Sequence, residues 1–152
     1  MKIYLCGPCD TTNRTTMVKA ANILREYDYD VYCPWEMKIP DAWDMPQEVW
    51  AQKVFDNDII ALQSCDCLIM ISSGRESTAG SNWEQGYAYA IGKLIYVIQI
   101  TENPTSLMTY CGCDFFISSY NWKLKEDLEW LAKHIRENNI EYYQKECSTI
   151  LT

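Results

Sequence analysis

Five short apolar runs punctuate this chain, and between them apolar residues recur at helical spacing. Lys2–Cys6 is the first run, stopped by Gly7-Pro8. A polar loop, Asp10–Thr16, leads into a face of Met17, Ala20, Ala21, Leu24 and Tyr27, which predicts a helix ending near Tyr27. Asp28–Asp30 turns the chain into a second strand at Val31–Cys33. Trp35–Met45 has no regular period and reads as a loop or lid. Pro46 then opens a helix to about Gln63, with Ala51, Val54, Phe55, Asp58 and Leu62 on one stripe. Cys67–Ile71 is the third strand. A small polar loop follows, and a helix from about Ser81 is stopped by Gly92. Leu94–Ile98 and Phe115–Ile117 are the remaining strands, joined by a connection with one helical turn at Ser106–Tyr110. Leu124, Leu128, Leu131, Ile135 and Ile140 predict a last helix, and a polar tail starts at Tyr142.

Strands that alternate with helices, and that are apolar without a break, belong to parallel sheets covered on both faces. The expected fold is therefore α/β: one domain over residues 1–152, with a five-stranded, mostly parallel sheet in the order 2-1-3-4-5. Helices lie on both faces, in a flavodoxin- or Rossmann-like arrangement. In such a sheet the ligand sits at the carboxyl ends of strands one and three. Gly7-Pro8, the stretch Ser72–Glu84 and the loop around Trp35 converge there.

Composition narrows the function. The chain has 152 residues, 48% of them hydrophobic, and a formal net charge of −8. That charge argues against a nucleic-acid polymer or an anionic membrane as partner. No apolar run reaches the roughly 18 residues of a membrane span. The N-terminus goes straight into a strand pattern without a signal-peptide core, so a cytoplasmic location is expected. Of the eight cysteines, Cys6 and Cys9 have C-x-x-C spacing. Cys6 ends a strand instead of opening a helix, which favours ordinary packing over redox or zinc chemistry.

The candidate chemistry gathers at the predicted ligand edge. Glu84 shares a helical face with Tyr87, Ala88 and Ile91. It reads in two ways. Ser81-Asn-Trp-Glu84 matches a capping box, in which the glutamate only closes the helix start. Alternatively, a carboxylate kept ionised by the helix dipole is a nucleophile for a sugar carbon. Asp58 is the one charge on an apolar stripe: either it bonds a loop backbone or it acts as general acid/base. Tyr4 is either core packing or a hydroxyl aimed at the nucleophile. Thr78, Gly80 and Ser81, with Arg14, form either an anion cradle or a plain turn. The tryptophans Trp35, Trp43 and Trp50 would stack on a base or pack in the core or an interface.

These residues resemble a known family, the nucleoside 2-deoxyribosyltransferases with their nucleoside 5′-monophosphate N-glycosidase relatives. The likeness lies in Ile3–Pro8, in Asn57-Asp58 with Cys65–Met70, and most specifically in Glu84-Gln-Gly-Tyr-Ala-Tyr-Ala-Ile-Gly-Lys93. The resemblance implies that Glu84 attacks C1′ of the sugar, Asp58 handles the base proton and Tyr4 orients Glu84. It implies a site completed by a neighbouring subunit in a homodimer or larger homo-oligomer, with no metal or organic cofactor. The partners would be a nucleoside or nucleotide and a free nucleobase. The chain departs from the transferases at Thr78 and near Asp114, where the asparagine that a neighbouring subunit contributes in them has no clear match. Thr78 stands where they carry an aspartate, and it matches the hydroxyl with which the hydrolases bind a 5′-phosphate. Ser106-Leu-Met108 resembles the segment that brings those hydrolases a second phosphate-binding serine. The expected reaction is transfer of a deoxyribosyl group to another base; hydrolysis of a 5′-monophosphate is the alternative, and a non-catalytic nucleotide sensor is the alternative of another class.

Overall fold

The structure, a computed structural model, describes residues 1–120 and 122–136. Its five strands are β1 (Lys2–Cys6), β2 (Asp30–Tyr32), β3 (Cys67–Ser72), β4 (Leu94–Gln99) and β5 (Phe115–Ser118). They form one sheet in the order β2-β1-β3-β4-β5, and every neighbouring pair is parallel. The helices are α1 (Arg14–Glu26), α2 (Gln47–Ser64), α3 (Ala79–Ala90), α4 (Leu107–Cys111) and α5 (Leu124–Ile135). Ile140 and the tail from Tyr142, which the sequence pattern adds to the last helix and its end, lie outside the described residues.

Side chains alternate along each strand, yet both faces are covered, so both sets are apolar. Ile3, Leu5, Cys67, Ile69, Ile71 and Ile98 pack beneath α1 and α5. Tyr4, Cys6, Leu68, Met70, Ile95 and Val97 face the other way, toward Ala61 and Leu62 of α2 and Ala88 of α3. This second face carries Tyr4.

Three expectations shift. The second strand runs one residue earlier than the apolar pattern places it, because Asp30 pairs with Lys2 of β1. The helix expected from Ser81 begins at Ala79, with Thr78 as its cap: Thr78 Oγ1 accepts the Ser81 N–H at 3.3 Å. The capping-box reading of Ser81 and Glu84 is therefore overturned, and Glu84 falls in the second turn. The stripe on α2 is not a core stripe. Of Ala51, Val54, Phe55, Asp58 and Leu62, only Leu62 is buried, and Phe55 is 48% exposed.

Local bonds shape the carboxyl end of the sheet. Asp10 Oδ1 accepts the backbone N–H of Thr12 and Asn13 at 2.9 and 3.1 Å, folding the loop after β1 into the start of α1. Arg25 of α1 bonds Glu36 and the Val31 carbonyl, which ties the loop after β2 against α1. Ser77 Oγ lies 3.0 Å from Ser72 Oγ and accepts the Ser73 N–H, fixing the chain just before Thr78.

Candidate active site

Tyr4 and Tyr32 are register partners on β1 and β2, so their side chains leave the sheet on the same face. Their rings stack with centroids 5.2 Å apart. The Tyr4 hydroxyl donates to Glu84 Oε1 at 2.8 Å. The Tyr32 hydroxyl donates to Asp58 Oδ1 at 2.8 Å. A carboxylate from α3 and a carboxylate from α2 are thus brought over one end of the sheet, each held by a tyrosine.

Glu84 stands between two cavities. One, of about 160 Å³, is lined by Cys6, Gly7, Cys9, Trp35, Thr78 and Ser81, among others. The other, of about 420 Å³, is lined by Trp50, Val54, Phe55, Asp58, Ile59 and Trp83. Gly80 and Glu84 belong to both. The first cavity is small, mostly apolar and bordered by the Thr78 and Ser81 hydroxyls; the second is larger and aromatic. A Cβ on Gly7 would sit 2.7 Å from the Met17 sulfur and 2.9 Å from the Ile71 carbonyl, so only glycine lets the chain turn this close beneath the cavity.

The electrostatics are unusual for a site with two acids. Among the described residues, no Lys, Arg or His lines either cavity. Burial pushes Glu84 up to about 7; the Asp58 charge adds to the rise, while the Tyr4 and Cys6 donors oppose it. Burial also raises Asp58, against the hydrogen bonds of Tyr32 and Tyr4. The expectation that the helix dipole keeps Glu84 readily ionised is thus corrected. Glu84 lies past the first turn, where the dipole has faded, and desolvation dominates. Both phenols are pushed above the ordinary tyrosine range by burial and the neighbouring carboxylates. They stay protonated and remain donors.

The other sequence candidates are placed as follows. Thr78 and Ser81 pair their hydroxyls at 2.8 Å at the start of α3. Arg14 opens α1, is exposed and lines neither cavity, though its charge lowers the nearby Cys9 thiol against a net rise from burial. Ser106 caps α4 by accepting the Thr109 N–H, and it lines a separate cavity of about 480 Å³ with Asn82, Gln85 and Tyr89. Within one chain it does not meet Glu84. Trp35 and Trp50 line the two cavities, whereas Trp43 is fully exposed. The sequence reading missed Tyr32, Phe55 and Trp83 as site residues. A tyrosine in both of the first two strands was the available signal for Tyr32, but it speaks only once the register is known. Cys6 and Cys9 are free thiols at the small cavity, and no group of three His, Cys, Asp or Glu is gathered for a metal among the described residues. No helix among them is long and apolar enough to cross a membrane.

A family model described as nucleoside 2-deoxyribosyltransferase matches residues 3–139. The solved 2-deoxyribosyltransferase of the psychrotolerant bacterium Bacillus psychrosaccharolyticus is similar, with a TM-score of 0.73 and 26% identity over 85% of this chain and 90% of that one. A conserved protein from Enterococcus faecalis V583 has a TM-score of 0.63 and 19% identity, covering 91% and 98% of the two chains. The Clostridium botulinum CMP N-glycosidase BcmB has a TM-score of 0.58 and 18% identity, covering 86% and 98%. The last two likenesses speak for the fold alone. No curated protein sequence matches the chain.

Proposed function

The chain belongs to the nucleoside 2-deoxyribosyltransferase family, and from that membership we propose that it cleaves the N-glycosidic bond of a (deoxy)nucleoside by forming a sugar ester on Glu84. The observation that carries this reading is the position of Glu84, held by Tyr4 where a small cavity bordered by the Thr78 and Ser81 hydroxyls meets an aromatic one. A sugar in the small cavity and a base against Trp50, Phe55 and Trp83 would place C1′ beside the carboxylate. Stacking on such rings is tolerant of base identity.

The steps follow from the groups present. A Glu84 oxygen attacks C1′; the C1′–N bond breaks, and its electron pair leaves with the base. Asp58 gives that base nitrogen its proton. The Tyr4 hydrogen bond engages one Glu84 oxygen and fixes the direction of the other. In the second half, a nitrogen of an incoming base attacks C1′, its proton passes to Asp58, and Glu84 leaves as carboxylate. The apolar wall around Asp58 suits a base as acceptor, because it keeps water scarce until the base arrives.

A second reading rests on Thr78. Its hydroxyl and that of Ser81 stand together at the start of α3, where a 5′-phosphate would be met by hydroxyls and a helix N-terminus. The enzyme would then be a 5′-monophosphate N-glycosidase with water as acceptor. Chromatography of deoxynucleosides and their 5′-monophosphates, with and without a second free base, separates the two. Base exchange that requires the added base is the expected result. Free base from monophosphates alone would replace transfer by hydrolysis.

We further propose that the working form is a homo-oligomer. Trp50, Phe55, Ile60, Trp83 and Tyr89 are between 42% and 66% exposed around α2 and α3, more apolar surface than a lone helix pair usually leaves in water. Ser106 reaches a Glu84 site only if a neighbour supplies it. Sedimentation equilibrium should return a dimer or larger; a monomer mass at assay concentration would reject this.

A further inference from the structure

We propose that Tyr32 is a positioning residue for the glycosidic step, holding Asp58 as Tyr4 holds Glu84. The inference rests on the roles of Glu84 and Asp58 given above, which do not themselves assign Tyr32 anything.

The geometry carries it. Tyr4 and Tyr32 occupy the same register on neighbouring parallel strands, and their stacked rings are tilted by only 28°. Their hydroxyls therefore emerge side by side. One meets the carboxylate of α3 and the other that of α2, both at 2.8 Å. Tyr32 lines neither cavity, so it acts through Asp58 and not on the ligand. Nor is α2 well fixed by packing at this point. Its buried residues are Ala61 and Leu62, near its C-terminal end, whereas Asp58 is half-buried with exposed neighbours at Asp56 and Asn57. The bond from Tyr32, together with the hydrogen bond from Tyr4, orients the Asp58 carboxylate.

Three titratable groups face Asp58: Tyr32 from β2, Tyr4 from β1 and Glu84 from α3. Cys6 lies behind them and faces Glu84. Of these, only the two phenols support the ionised form of Asp58. Removing the Tyr32 hydroxyl leaves that form with less support and a freer side chain. Asp58 should then hold its proton more tightly and point less reliably at the base. An acid that protonates the leaving base and recovers the proton in the second half-reaction is harmed by both changes.

The test is Tyr32→Phe, which keeps the ring and its stack. Turnover should fall roughly tenfold, the size expected for one hydrogen bond to a charged group, while KM changes less than about twofold. In an Asp58→Asn background the same change should cost no more than about twofold. Titration of the Asp58 side-chain carbon by ¹³C NMR should move to higher pH in Tyr32→Phe. This readout needs no turnover, so it tells the proposal apart from the activity beneath it. A moved titration in a protein whose wild type releases no base supports the hold of Tyr32 on Asp58 and places the failure with the glycosidic reading. An unmoved titration, or an equal loss with and without Asp58, overturns the proposal. If Tyr32→Phe does not fold, 3-fluorotyrosine at position 32 is the second variant. It is a stronger donor, so the titration should move down; a titration that stays put again overturns it.

Discussion

Glu84→Gln should lose base release by at least about 10³-fold, the scale on which removal of a covalent nucleophile is felt. The amide keeps the shape and can still accept from Tyr4, so the loss reports chemistry rather than packing. The same variant should be more stable than wild type at pH 8. Glu84 titrates near 7 in the folded protein, against an ordinary value of 4.5. Between those two values the folded chain keeps a proton that the unfolded chain has released. Stability therefore falls as pH rises through that window, and the full cost is present above 7. The shift corresponds to about 3 kcal/mol, and the weaker hydrogen bond of an amide returns part of it. A net gain of about 1–2 kcal/mol at pH 8, vanishing near pH 4, is expected from urea unfolding of the two proteins. A variant that is inactive but no more stable at pH 8 would mean that burial does not strain this carboxylate. Retained turnover would end the nucleophile reading, whereas a wild type that releases no base from any nucleoside or nucleotide would favour a non-catalytic nucleotide sensor.

That coupling of strain to chemistry was only partly legible in the sequence. The strands were readable because Cys67–Ile71 and Leu94–Ile98 are unbroken apolar runs, which only a doubly covered sheet demands. With those strands placed, the order of the sheet and the candidate ligand edge followed. The start of α3 did not. Thr78 and Ser81 are both competent caps, and Ala79-Gly80 between them carries no periodic signal. Ser77 decides the matter by anchoring the chain to Ser72 and Ser73, a contact that exists only after β3 is in the sheet. The α2 stripe was legible as apolar but not as an exposed surface, because a helical period cannot tell a core from an interface. Tyr32 was hidden for a third reason. In a strand of three residues, alternation is too short to show which side chain shares a face with Tyr4.

The two acids also constrain each other, and Asp58→Asn exposes this. Glu84 is pushed up to about 7, so in the resting protein near pH 7 the pair carries fewer than two charges. In the proposed reaction, attack needs the charge on Glu84 and the proton on Asp58. With Asn at 58, a natural nucleoside should lose about 10²–10⁴-fold, since its base leaves poorly without a proton. A substrate whose leaving group is stable as an anion should lose far less, roughly tenfold or under, because it makes no demand on the acid. The pH dependence adds an independent reading. The Asp58 charge is one cause of the raised Glu84 value, so its removal should let Glu84 ionise at lower pH. With the activated substrate, the acidic limb of kcat/KM should therefore move below its wild-type position near 7. Equal losses for both leaving groups would make Asp58 a structural carboxylate rather than the acid. A limb that stays in place would show that the two carboxylates titrate independently, and that burial alone sets the nucleophile.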